Sequence, residues 1–202
     1  MNYKVLVKNK KIYFTPNNVI YSIYFICLIP LSIQYFLFKN NDFYWFDYIF
    51  FGIFFLCLIA SIFFSFYNLF RFEIPEGELI GNLEFKNNEI IINSQNFPLE
   101  IIKKIELQTY DYKGRIIAYR GNLNGTKSIG ARNELIITLQ NNEIKKVYFQ
   151  QLYKGQISEE KEFLIDYCNQ GKMYYINLLD NLGITDYKEI QIFKKTFLNQ
   201  FK

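Results

Sequence analysis

The sequence predicts a two-helix membrane hairpin followed by an α+β domain, an antiparallel β meander with helices at its C-terminal end. Three observations carry that prediction. Two long runs in the first third of the chain hold no charged residue; short apolar segments separated by Asn-, Gly- and Pro-containing turns come next; a helical period replaces them after Leu152.

The apolar runs come first. Val19 to Phe38 is 20 residues and Tyr48 to Phe70 is 23, and neither has a polar face. At about 1.5 Å of rise per residue each matches a hydrocarbon core of about 30 Å. A chain of 202 residues is too small to enclose both as buried core helices. The first run is also too long for a signal peptide, and no small-residue cleavage site follows it in FKNNDFYWF. Pro30 should kink the first helix, with Ser32 or the second helix compensating the lost backbone bond. Tyr35, Phe43, Tyr44 and Trp45 suit an interfacial aromatic belt. The connection KNNDFYWFD is short, so the spans pair antiparallel. Lys4, Lys8, Lys10 and Lys11 precede the first span and Arg71 follows the second, whereas the loop carries Lys39 alone. Positive residues favour the cytoplasmic side, which places both termini in the cytoplasm of a cell-membrane protein. The Asn124-Gly125-Thr126 sequon would then never meet lumenal glycosylation. The expected organisation is an N-terminal segment and hairpin over residues 1–72 and a cytoplasmic domain over 73–202.

In that domain ELIGNLEFK, EIIINS, IKKIELQTYDY, RIIAYR, ELIITLQ and IKKVYFQQL read as six or seven strands. Turns are expected at KNN (86–88), QNFP (95–98) and QNN (140–142). Alternation in Lys104-Ile105-Glu106-Leu107-Gln108 gives that strand one buried and one wet face. Ser158 is placed to cap a helix through EEKEFLIDYCNQ that Gly171 ends; KMYYINLLDNLG forms a second; Thr185 caps a third from Asp186 to Phe201. Each is too short to be stable alone, so they pack on the sheet.

A hairpin, then a meander, then a helix is the order of bacterial membrane proteins with a pleckstrin-homology-like domain, and Glu78 to Asn169 resembles that arrangement. The run FPLEIIKKIELQTYDYKG carries the likeness most clearly, with a Pro-Leu approach and a lysine-rich strand start. The resemblance implies a partly closed barrel serving as a membrane-tethered binding module. The two further C-terminal helices go beyond that plan. The chain also looks like the two-span β-barrel effectors of cyclic-nucleotide antiphage signalling, which implies an alternative: oligomerisation and membrane perturbation on a nucleotide signal. Gly52, Ala60 and Ser61 are small residues that suit helix association in a homo-oligomer or simple hairpin packing, although their spacing is not G-x-x-x-G.

Composition narrows the chemistry. Residues 72–202 hold 17 basic and 17 acidic side chains, a balance poorly suited to nucleic-acid binding. There is no histidine, which removes imidazole bases and ligands. Cys27, Cys57 and Cys168 lack metal spacing and read as buried thiols. No acid/base pair stands out, so a non-enzymatic protein without cofactor or metal is expected. Lys103 to Arg132 nevertheless carries seven basic residues against Glu106 and Asp111. Within it, GNLNGTKSIGARN (Gly121–Asn133) is long for a hairpin connection. It is not a P-loop, because Thr126 intervenes before Lys127-Ser128 and a strand pattern follows instead of a helix. Two readings remain. Either the segment is a solvated connection, or Lys113, Arg115, Arg120, Lys127, Ser128 and Arg132 contact an anionic ligand or the anionic leaflet. Asp111 and Tyr112 beside Gly114 read as turn chemistry.

Overall fold

A computed structural model describes residues 1–9, 45–117 and 126–198, and residues 18, 21–26, 28–29 and 32. Its nine strands are β1 (Asn2–Lys8), β2 (Gly77–Phe85), β3 (Glu89–Ile92), β4 (Gln95–Pro98), β5 (Ile102–Gln108), β6 (Lys113–Ile117), β7 (Thr126–Ile129), β8 (Asn133–Leu139) and β9 (Ile144–Phe149). Seven form one sheet in the order β4-β3-β2-β1-β9-β8-β5, and β6 and β7 form a separate ribbon. Each neighbouring pair in the large sheet is antiparallel. Among the described residues the continuous α-helices are α1 (Trp45–Asn68), α2 (Lys161–Asn169), α3 (Tyr175–Leu182) and α4 (Tyr187–Leu198). The expected antiparallel sheet with C-terminal helices is therefore present. By contacts the chain forms two units, one of Met1–Lys10, Glu73–Arg115 and Ser128–Lys202, the other of Lys11–Phe72 and Ile116–Lys127.

The first unit contains an element that the sequence reading assigned no strand. NYKVLVK, ahead of the apolar runs, is β1, which lies between β2 and β9. Its Tyr3 and Val5 enter the core, and a register shift between Lys4 and Leu6 turns Leu6 inward as well. Tyr3 packs edge-on against Phe85 at 5.8 Å and Phe149 at 5.4 Å, centroid to centroid, the geometry that aromatic quadrupoles favour. Around them lie Leu83, Ile90, Ile102, Ile105, Leu135 and Ile137. Burial, and then the nearby Glu160 carboxylate, push the Tyr3 hydroxyl far above its ordinary range. Tyr167 of α2 enters the same core; its hydroxyl accepts from Lys86 N–H at 3.0 Å and donates to Lys86 O at 2.6 Å.

Among the described residues no strand flanks β5 on its outer side. Its exposed backbone is taken up by the segment that follows α2: Ile105 N–H donates to Lys172 O at 2.7 Å, and Lys172 Nζ donates to Ile102 O at 2.7 Å. Asn177 completes the seal, accepting from Leu107 N–H at 3.0 Å and donating to Leu107 O at 2.7 Å, as a neighbouring strand would. The alternation in β5 holds, with Ile105 and Leu107 buried and Gln108 exposed.

Several local expectations shift. QNFP is not a turn but strand β4; the chain reverses at Asn93 and Ser94, whose φ values of 49° and 67° suit a tight hairpin. Ser158 does not cap α2, because a 3-10 turn over Gln156–Glu160 precedes that helix and the Ser158 hydroxyl donates to Gly155 O at 2.6 Å. Gly171, in the left-handed region, ends α2 as expected. The cap of α4 is Asp186 and not Thr185: Asp186 Oδ1 accepts from Lys188 N–H at 2.8 Å and Glu189 N–H at 3.2 Å.

The second unit holds α1, the only helix among the described residues long and apolar enough to cross a membrane; its window Phe51–Asn68 has a mean hydropathy of 2.0 and is 6 % buried. Phe54, Cys57 and Ser61 are half-covered, while Gly52 and Ala60 face outward. Of the first apolar run, residues 21–26, 28–29 and 32 are helical, and Tyr24 meets α1: its hydroxyl lies 2.6 Å from Ser61 Oγ and its ring 5.5 Å from that of Phe54. Cys27, Pro30, Tyr35, Phe43 and Tyr44 lie outside the described residues. Cys57 and Cys168 are free thiols, and burial raises the pKa of Cys168.

Candidate functional site

The segment Gly121–Asn133 is not one long loop. Its second half is β7, paired with β6; residues 118–125, and with them Arg120, lie outside the described residues. A turn overlaps the start of β6, closed by Arg115 N–H donating to Tyr112 O at 3.1 Å with Gly114 at φ 91°, so Tyr112 and Gly114 do supply turn chemistry.

Asp111 does not. It is 1 % exposed and organises the base of the ribbon. Its Oδ2 lies 2.6 Å from Ser128 Oγ and 3.2 Å from the donating Arg132 N–H. Asp111 N–H donates to Asn133 Oδ1 at 3.0 Å, and Gln151 Nε2 donates to that oxygen at 3.0 Å and to Asp111 O at 3.2 Å. Asn133 Nδ2 in turn donates to Gly130 O at 2.8 Å and Phe149 O at 3.2 Å. Gly130, at φ 79°, lets three chain segments meet; a Cβ there would lie 2.2 Å from Gln151 O and 2.4 Å from Lys113 N.

Ser128 is fully buried within this network. Its hydroxyl accepts from Gly130 N–H at 2.8 Å and faces two carboxylates, Asp111 at 2.6 Å and Glu73 at 3.0 Å. One hydroxyl proton serves only one of them at a time. An anion placed there would meet both carboxylates. Arg132 is likewise engaged, its guanidinium paired with Glu73 Oε2. The structure thus brings Ser128 and Arg132 together around acids.

The remaining basic residues are separately placed. Lys113 and Arg115 are exposed on β6. The Arg115 guanidinium lies over the Tyr110 ring, 5.9 Å from its centroid, and donates to Tyr110 O. Lys127 is held differently: its N–H donates to Arg71 O at 2.8 Å, it bridges Phe72, and its ammonium lies 5.8 Å from the Phe70 ring centroid. Nothing local in the sequence joins Lys127 to the end of α1, and the reading missed Glu73, Phe70 and Asp111 as their partners. The local signal that Ser128 turns inward is Ser128-Ile129-Gly130, a hydroxyl two residues before a glycine at the end of β7.

Among the described residues no group of three or more His, Cys, Asp or Glu side chains is arranged to hold a metal ion. A hollow of about 470 Å³ beside α3 is lined by Tyr174, Tyr175, Ile176, Asn177 and Asp180, where Asp180 is the one carboxylate. No family model, curated protein or solved structure matches the chain.

Proposed function

We propose that the chain is an integral membrane protein without catalytic activity. In this reading a two-span hairpin holds a pleckstrin-homology-like binding domain at the cytoplasmic face, where it engages a membrane protein or an anionic group. The observation that carries the reading is where the apolar segment is inserted. Lys8 pairs with Gly77, and Asn9 N–H donates to Glu76 O at 2.7 Å, so the chain leaves and re-enters the β domain across one strand pair. A segment with both ends fastened on one side crosses a bilayer an even number of times. With α1 as one crossing, the run 19–38 is required for the other. Tyr24 and Ser61 support that hairpin, because they lie equally far from the bond between residues 42 and 43, as facing residues of an antiparallel pair do.

Energetics favour lipid over water. At least 13 large apolar side chains from Tyr48 to Tyr67 are exposed among the described residues. At about 1.5–3 kcal/mol per fully buried side chain, halved for partial exposure, leaving them in water forfeits on the order of 10–20 kcal/mol. That is comparable with the ordinary stability of a domain, about 5–15 kcal/mol. The pleckstrin-like plan draws support from the two meanders, β1 to β4 and β5-β8-β9, joined through β1 and β9, with Tyr167 of α2 filling the core between them.

Alkaline extraction of membranes, with a fluorescent reporter fused after Lys202, tests the reading. The expected result is retention in the membrane fraction with the reporter bright inside the cell. A chain monodisperse in buffer without detergent, or a reporter active only outside, overturns it. For the anionic-group arm, Lys113→Glu with Arg115→Glu should weaken binding of anionic vesicles by the protein; unchanged binding removes that arm.

A further inference from the structure

We infer that the exit of α1 is a binding site for the phosphate headgroup of an anionic lipid, formed by Arg71 and Lys127 on an aromatic collar. The inference rests on the membrane-spanning reading of α1 and goes beyond it. The last carbonyls of α1, those of Phe66, Tyr67 and Asn68, accept from Leu69, Phe70 and Arg71 N–H, and the negative end of the macrodipole there favours cations. The last turn of α1 supplies no basic residue of its own. Two cations arrive from outside it. Arg71 follows three residues after the helix ends, with its guanidinium 5.4 Å from the Tyr67 ring centroid. Lys127 comes from the ribbon, is tied to Arg71 O through its N–H at 2.8 Å, and holds its ammonium over Phe70.

The collar has the composition of a bilayer interface. Phe70 is 73 % exposed and Tyr67 is 57 % exposed. Aromatic rings with a polar or cationic partner settle at the headgroup level, where the ring is in apolar surroundings and the charge in wet ones. Residues 66–72, 116–117 and 126–127 hold no acidic side chain, and the carboxylate that follows, Glu73, is engaged by Arg132 and Ile129 N–H. The main-chain bond sets the two residues side by side, and each cation is held over a ring of the same collar, Arg71 on Tyr67 and Lys127 on Phe70. A free phosphate would gain only those charges. A phospholipid adds burial of its acyl chains against the apolar surface of α1, which continues directly from the collar. Lipid is therefore the occupant to which the surface is fitted.

The test reconstitutes the full-length chain into phosphatidylcholine bilayers with or without phosphatidylglycerol. Flotation with the liposomes is scored first. Native mass spectrometry after mild extraction then identifies the lipid that stays bound. Wild type is expected to retain phosphatidylglycerol over phosphatidylcholine. Arg71→Glu and Lys127→Glu should each reduce that preference at least about fivefold, the effect of one basic residue at an anionic surface. Lys127→Arg should keep the preference, and Lys154→Glu, on an exposed loop of the β domain, should leave it unchanged. If Lys127→Glu fails to fold, Lys127→Gln reads the same quantity. Excess soluble glycerol phosphate should not displace the lipid; displacement would make this a free-phosphate site and overturn the lipid assignment. Unchanged preference in both charge reversals overturns the collar while leaving the spans intact. A protein that does not float overturns the spans, and the collar with them.

Discussion

At the scale of single residues, the buried polar network around Asp111 is where small changes have large effects. Ser128→Ala removes a hydroxyl that lies 2.6 Å from a buried carboxylate and accepts from Gly130 N–H. The expected loss is about 1–3 kcal/mol, the cost of stranding buried polar groups. It should appear in a denaturant melt whether or not anionic lipid is present; a Ser128→Ala protein of unchanged stability but impaired lipid binding would contradict the structural role. The buried tyrosines give a second residue-scale prediction. Burial holds the Tyr3 and Tyr167 hydroxyls above the ordinary value of 10.0. A group whose folded pKa is raised contributes stability that is complete below its unfolded pKa and is lost as pH rises past it. Denaturant midpoints should therefore be level to about pH 9 and fall above about pH 10, and Tyr3→Phe with Tyr167→Phe should flatten that fall. Ser128 shows why site residues were only partly legible: its sequence neighbours are basic and its spatial neighbours acidic, and only tertiary structure reveals the latter.

Among the elements, period and caps were legible to different degrees. The alternation of β5, the helical period of α2 to α4 and the stop at Gly171 follow from local chemistry, and each is present. QNFP misled because proline and asparagine are turn residues in most settings, yet Pro98 ends an edge strand, where the missing N–H has no partner to deprive. Thr185 and Asp186 are both acceptable caps by type, and the choice depends on which one starts the helix. Asp186→Ala should cost about 1 kcal/mol and lower the melting temperature, whereas Thr185→Ala should change it little. Equal effects from the two would reverse the assignment. β1 was missed for a different reason. Its lysines carry the charge pattern expected ahead of a membrane span, and its partners lie in β2 and β9, beyond the apolar runs.

For the whole molecule, the decisive feature is that the apolar segment interrupts a strand pair. A chain beginning at Glu73 lacks the strand between β2 and β9, and with it Tyr3 and Val5 from the core. That fragment should be unfolded by circular dichroism. Joining Asn9 to Glu76 through a short glycine-rich turn should instead yield a folded β domain, since those residues already share a hydrogen bond of 2.7 Å. Failure of the spliced chain to fold, with the fragment from Glu73 folding alone, would show that β1 is dispensable. The same interruption also sets a schedule for biosynthesis. β1 is made first, but its neighbour β9 is not complete until Phe149 has left the ribosome. At about 5–20 residues per second, the nascent strand waits roughly 7–30 s for that neighbour, with β2 alone available to pair it once Phe85 is made. The leading seven-residue strand is thus a natural client for a holding chaperone, and its mutation should show first as lost yield in cells lacking one.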